Sequence, residues 1–195
     1  GKFRLSRHVS TVGLVQTYLA TIDGMGGFVR PCILKRLERA GATQPELVEK
    51  FVSQARQAAR FNHPNITHAF DFGQVDGEYF IASEFLDSIP LEEVLAIARQ
   101  SKRALGPEVA VHLVGPLCDA LDYMERANLA AEEVSRSHHI LPSHLVISCD
   151  RLELKLSVIE GLEALAVDSQ TANAALYRPP EDSAATPPDS ASTTY

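Results

Sequence analysis

The sequence predicts an α+β fold in which strands and helices are segregated along the chain instead of alternating. Two observations carry this expectation. Short β-rich runs crowd the first 86 residues around one amphipathic helix, and from residue 90 onward the apolar residues fall into helical spacing.

Phe3, Leu5 and Val9, then Leu14, Tyr18 and Ile22, then Ile33 and Leu37 mark three strands within residues 1–37, with Gly24, Gly26 and Gly27 supplying a turn. Gln44-Pro45-Glu46 opens a helix, since proline is tolerated in a first turn whose N–H groups have no intrahelical acceptor. Leu47, Phe51, Gln54, Ala58 and Phe61 share one face of it, with Gln54 the polar member. Asn62-His63-Pro64-Asn65 ends the helix. Ile66 to Gly73 and Glu78 to Phe85 then form a hairpin across Val75-Asp76-Gly77, an Asp-Gly pair suited to positive φ.

A short helix is expected over residues 90–101 and a long one over 107–128, striped by Val109, Leu113, Leu117, Leu121 and Met124. Gly115-Pro116 should bend or break the long helix, because an interior proline removes a hydrogen bond and costs about 3 kcal/mol. Leu145-Val146-Ile147 and Leu154-Lys155-Leu156 read as a small hairpin around Asp150-Arg151. From Asp168 onward Ala, Ser, Thr, Pro and Asp dominate, and residues 182–195 have the composition of a disordered tail.

Composition narrows the function classes. With 45% apolar and 22% charged residues the chain can build a core, and 195 residues allow one domain or two small lobes. A net charge of -7 without a Lys/Arg-rich run argues against nucleic acid as a partner. Cys32, Cys118 and Cys149 are odd in number and far apart, which suits a reducing compartment better than a disulfide framework. No apolar run approaches the roughly 18 residues that span a bilayer, and Gly1-Lys2-Phe3-Arg4 lacks a signal-peptide core, so no membrane association and a cytoplasmic location are expected for this segment.

Taken in order, several stretches resemble the bacterial serine/threonine protein kinase family. They are Tyr18-Leu19-Ala20, Ile33-Leu34-Lys35, Ala58-Ala59-Arg60-Phe61-Asn62-His63-Pro64-Asn65-Ile66, Phe70-Asp71-Phe72-Gly73, Tyr79-Phe80-Ile81-Ala82 and the hinge-like Glu84-Phe85-Leu86. The resemblance covers residues 1–128 with good specificity and 134–181 with poor specificity. It implies a five-stranded antiparallel N-lobe with one main helix and a hinge over 1–86. A truncated, mainly helical C-lobe over 87–181 and the tail over 182–195 would follow.

The resemblance also implies a nucleotide site, vestigial here, around Lys35, Gln54, Val12, Glu84 and Leu86. The family's phosphate-covering loop reads G-x-G-x-x-G so that backbone amides approach the phosphates. The matching Ser10-Thr11-Val12-Gly13-Leu14-Val15 has one glycine, and Val12 and Val15 would stand where phosphates come in, unless the stretch is an ordinary turn. Lys35 matches the lysine that pairs with the phosphates, although alone it also reads as a solvated strand lysine. Gln54 replaces the glutamate that orients that lysine, and a neutral amide gives no charge pairing. Ile33 is larger than the residue that usually roofs the adenine.

In the catalytic loop, anchoring on Pro142 matches Ser137-His138-His139 to H-R-D and His144 to the magnesium-binding Asn. From Ala131 to Cys149 the only carboxylates are Glu132 and Glu133, upstream of the loop. Val158-Ile159-Glu160, or Ile159-Glu160-Gly161 one residue along, stands in place of D-F-G, and neither begins with a carboxylate. The degenerate positions His139, His144 and Val158 leave no expected catalytic residue. Losing a general base alone costs about 10²–10⁴-fold.

His138, His139, His144 and Cys149 include zinc-type ligands, but their spacing is no recognised zinc pattern. Tyr177-Arg178-Pro179-Pro180-Glu181 resembles the close of the family's activation segment. The resulting expectation is a pseudokinase acting as a binding or regulatory signalling module. No cofactor is expected, with ATP and magnesium binding at most weakly, and a protein partner or a second copy is expected on the truncated C-lobe. The alternative is a residual ATP-dependent serine/threonine kinase using Lys35.

Overall fold

The computed structural model describes residues 2–130, 140 and 142–158, with the side chains of 128–130 outside the description. Two units divide these residues. The first holds 2–62 and 67–86, and the second holds 63–66, 87–130, 140 and 142–158.

The first unit is built on β1 (Phe3–Val12), β2 (Val15–Asp23), β3 (Val29–Leu37), β4 (Ala69–Val75) and β5 (Glu78–Glu84), an antiparallel sheet in the order β1-β2-β3-β5-β4. Ala20, Cys32 and Leu34 form a buried cluster on one face, covered by Phe3, Ile22, Phe70 and Phe80. Alternation puts Val15, Thr17, Lys35, Leu37 and Ile81 on the other face. The β4–β5 turn holds both Asp76 and Gly77 at positive φ, 52° and 84°, as a two-residue hairpin loop whose twist matches its strands requires.

Both edges of this sheet are irregular. β1 shifts register between Leu5 and Arg7 and again between His8 and Ser10, and β4 shifts between Ala69 and Asp71.

A short helix α1 (Arg39–Ala42), which the sequence pattern does not signal, precedes α2 (Pro45–Arg60). Gly41 in α1 is buried, and a Cβ there would sit 2.7 Å from Leu37 Cδ1, so glycine is what lets this turn close on β3. In α2 the buried residues are Phe51, Ala55 and Ala58, with Phe61 just beyond. Leu47 and Gln54 are only half-buried, so Ala55 takes the central place that the expected stripe gave to its neighbours. The Phe51 and Phe72 rings lie 6.3 Å apart, which joins α2 to β4.

The second unit holds β6 (Ser88–Pro90), α3 (Leu91–Gln100), α4 (Pro107–Ala130), β7 (Leu145–Ser148) and β8 (Leu154–Leu156), with the strands in the order β6-β7-β8. The β7–β8 hairpin falls where the sequence placed it, whereas β6 was not foreseen. α4 runs through Pro116 without a break. Leu113, Ala120 and Met124 are buried along it, and that burial offsets the bond missing at Pro116.

Residues 63–66 are sewn into this unit. The Asn65 side-chain amide donates to the Leu154 carbonyl at 2.9 Å, and the Leu156 N–H donates to the Asn65 carbonyl at 2.7 Å. Ile66, 1% exposed, bridges Leu156, and the His63 ring lies 5.2 Å from that of Tyr123.

No helix among the described residues is long and apolar enough to cross a membrane. Cys32 is buried, and that burial pushes its thiol above the ordinary value, with the Arg30 charge opposing in part, while Cys118 and Cys149 are exposed. A thiol-reactive chromophore should therefore modify Cys118 and Cys149 quickly under native conditions and Cys32 only with global unfolding. Fast native reaction of Cys32, located by mass spectrometry, would contradict this packing.

Candidate functional site

Lys35 is placed by β3, the central strand of the sheet, in one row with Thr17 on β2 and Ile81 on β5. It is 3% exposed, so the reading of a solvated strand lysine is corrected. Interior strand pairing and the neighbouring Val15, Leu37 and Ile81 withdraw it from water. Thr17 shares this burial, and its Oγ1 finds no hydrogen-bond partner among the described residues. Gln54 stands half-buried on α2 in the same unit.

The stretch expected to cover phosphates is a strand, a two-residue turn and a strand. Val12 pairs with Val15 across Gly13-Leu14, and Gly13 has a φ of 57°. Val15, 1% exposed, belongs to the core, which corrects the expectation that it stands open to a ligand. Val12 is half-buried at the end of β1. Ile33 lies two residues before Lys35 on the same face, opposite Leu19 and the buried Ser83.

Glu84 pairs with Cys32, so its side chain leaves from the face opposite Lys35. Its carboxylate accepts from the His68 N–H at 3.0 Å. Leu86, half-buried, follows β5 by two residues. Thr17 and Ser83 are buried polar residues on the Lys35 face that sequence reasoning missed. Polar residues at inward positions of an alternating strand were the available signal.

In the second unit, His144 ends a 3-10 turn ahead of β7, and Val158 follows β8. The His144 carbonyl accepts from the Ser157 N–H at 2.8 Å, so the hairpin brings these two positions to one end. His139 lies outside the described residues, as do Ser137, His138, Ile159, Glu160, Gly161 and residues 177–181. Cys149 follows β7 at the far end from His144, about 17 Å away at the rise of a strand, too far to share an ion with it.

A magnesium nucleotide is the group this kind of site would hold, and its metal needs oxygen donors in near-octahedral array. At the His144 end the hairpin offers an imidazole and the valine Val158. Its carboxylates, Asp150 and Glu153, lie at the turn. Among the described residues no three His, Cys, Asp or Glu side chains gather as a metal site. Among the described residues, the side chains at this end do not fit magnesium.

Asp150 has a structural task. The Ser148 hydroxyl donates to its carboxylate, and chiefly for that reason its pKa lies below the ordinary carboxylate value.

No protein-family model matches this chain. It is 28% identical over 150 residues to the tyrosine-protein kinase MasK of Myxococcus xanthus, covering 76% of this chain and 23% of that protein. It is 33% identical over 100 residues to the serine/threonine-protein kinase PknA of Mycobacterium tuberculosis, covering 49% of this chain and 22% of that one. The crystal structure of the M. tuberculosis PknI kinase domain superposes with a TM-score of 0.66 at 23% identity, over 98% of this chain and 67% of that one. The chain is a relative of the bacterial protein kinases and has their α+β fold. It spans less than a quarter of the length of these curated relatives.

Two outcomes follow from the packing. Thr17→Val removes a buried hydroxyl without a partner and keeps a β-branched shape, so it should raise stability by about 1 kcal/mol in urea unfolding. A loss of that size would mean that the hydroxyl is satisfied. Because the folded-state pKa of Asp150 is depressed, its contribution is present above the unfolded value and is lost as pH falls through the folded one. Ser148→Ala should move the Asp150 carboxyl titration, followed by NMR, back toward the ordinary value.

Proposed function

We propose that this chain is a catalytically inactive protein-kinase-like domain that works as a protein-binding or regulatory module in signalling. The observation that carries the reading is the pair His144 and Val158, held at one end of the β7–β8 hairpin where the family resemblance puts magnesium ligands. Neither residue supplies an oxygen donor from its side chain.

Gln54 in place of an acidic partner for Lys35, and the single-glycine turn at Gly13, support the same reading. Lys35 then serves packing within the sheet instead of phosphate binding. A cytoplasmic setting fits three cysteines without a disulfide framework.

Binding would use apolar surface in the second unit. Val109, Val111 and Val114 are exposed near the start of α4, Val111 at 73%. A protein partner or a second copy covering them would gain about 25 cal/mol per Å² of apolar surface removed from water. Light scattering of the chain and of its Val111→Asp variant would report self-association.

Phosphate transfer from radiolabelled ATP, to a generic protein substrate or to the chain itself, should stay at background. Transfer that disappears in Lys35→Met would establish the alternative, a residual kinase. Nucleotide with magnesium at about 100 times its dissociation constant would stabilise the fold by about 2.7 kcal/mol, a shift of several degrees. No such shift is expected at millimolar ATP, and one of that size would overturn the reading.

A further inference from the structure

α3 ends in a tightly built stop. The Lys102 N–H donates to the Arg99 carbonyl at 3.1 Å, and the Arg103 N–H donates to the Ala98 carbonyl at 2.9 Å, the paired bonds of a Schellman cap. The Ser101 hydroxyl donates to the Ile97 carbonyl at 2.8 Å. Lys102 occupies the left-handed position of this cap at φ 52°, a place that normally falls to glycine.

Beside the cap lies a depression of about 320 Å³. Leu95, Ala98, Ala104 and Leu105 line it with apolar side chains, and Arg99, Lys102 and Arg103 line it as well. All three cations are exposed, and none has an ion pair or a side-chain hydrogen bond among the described residues. Cations near a helix C-terminus commonly offset its unsatisfied carbonyls. Here the cap amides and Ser101 already satisfy the Ile97, Ala98 and Arg99 carbonyls, so that task is largely done.

We infer that this pocket docks a short acidic peptide segment of a partner protein, which seats one apolar side chain on the apolar lining and sets Asp or Glu carboxylates against Arg99, Lys102 and Arg103. Charge complementarity chooses the occupant. A chain of net charge -7 gathers three cations within five residues, beside a lining that is mostly apolar. An extended peptide offers side chains at about 3.3 Å intervals, a spacing that spreads carboxylates across such a cluster. A single-stranded nucleic acid would call for aromatic stacking residues, and the lining has none.

The volume lies at the low end of the roughly 300–1,000 Å³ of ligand pockets, suited to an anchor side chain. This site is separate from the exposed valines of α4, and it goes beyond the proposed function because it does not depend on whether the chain transfers phosphate.

The test uses the full chain and a fluorescently labelled octapeptide of Glu and Asp residues carrying one central leucine, read by anisotropy. Saturable binding is expected, weakening as salt rises. A peptide with serine for leucine, and one with Gln and Asn for the acids, should each bind at least about tenfold more weakly. The combined variant Arg99→Glu, Lys102→Glu, Arg103→Glu should lose at least about tenfold in affinity while keeping the parent's circular dichroism.

Lys102→Gly supplies a variant whose folding is secure. It relieves the left-handed backbone, so its Tm should equal or exceed the parent's while its affinity falls. Absence of saturable binding, equal binding of the serine peptide, or full affinity in the charge-reversed variant would each overturn the inference. A preference of more than about tenfold for phosphoserine over Glu in the same peptide would overturn the assignment to carboxylates.

Discussion

The pairing of β3 on both edges fixes most of what the first unit does. β3 runs from Asp23–Val29 to Val15–Leu37 against β2, and from Cys32–Glu84 to Arg36–Phe80 against β5. A slip of one residue would send Cys32 and Leu34 to the face of Lys35 and bring Lys35 into the cluster under Phe3, Phe70 and Phe80. The aromatic side therefore sets the register, and the register in turn holds a lysine and a threonine inside the opposite face. Their burial is a consequence of pairing, and no ligand is needed to explain it.

The second unit separates two kinds of residue that a kinase-like sequence mixes together. Asn65 and Ile66 grip β8 through backbone and side-chain bonds, and this is structural work. His144 and Val158 lie together at one end of the same hairpin. Neither offers an oxygen donor from its side chain.

Much of the fold was legible because local signals agreed. Asp76-Gly77 demanded a hairpin, Pro45 opened α2, and the apolar runs at 145–147 and 154–156 paired as expected. The pattern failed where tertiary contacts decide. β6 exists because Ser88, Ile89 and Pro90 meet β7, and α4 survives Pro116 because buried neighbours hold both halves.

At the candidate site, residue identities could be read from sequence, while burial could not. Lys35 has the same identity whether solvated or enclosed, and only the partners of β3 distinguish the two. Val15 was misplaced for the same reason. Thr17 and Ser83 drew no notice because a small hydroxyl in a strand is common on either face.

The irregular edges of the sheet bear on how the protein behaves at high concentration. An outermost strand offers unpaired amides and carbonyls to any other strand, and a long flat one invites fibre growth. β1 meets this hazard with two register shifts and with Arg4 and Arg7, and β4 meets it with a shift at Ala69–Asp71 and the Lys2–Asp71 ion pair. Kinked, charged borders deny a neighbouring molecule the continuous ladder that stacking requires. The same bulges that interrupt hydrogen bonding inside the sheet thus protect the chain against edge-to-edge pairing of these strands.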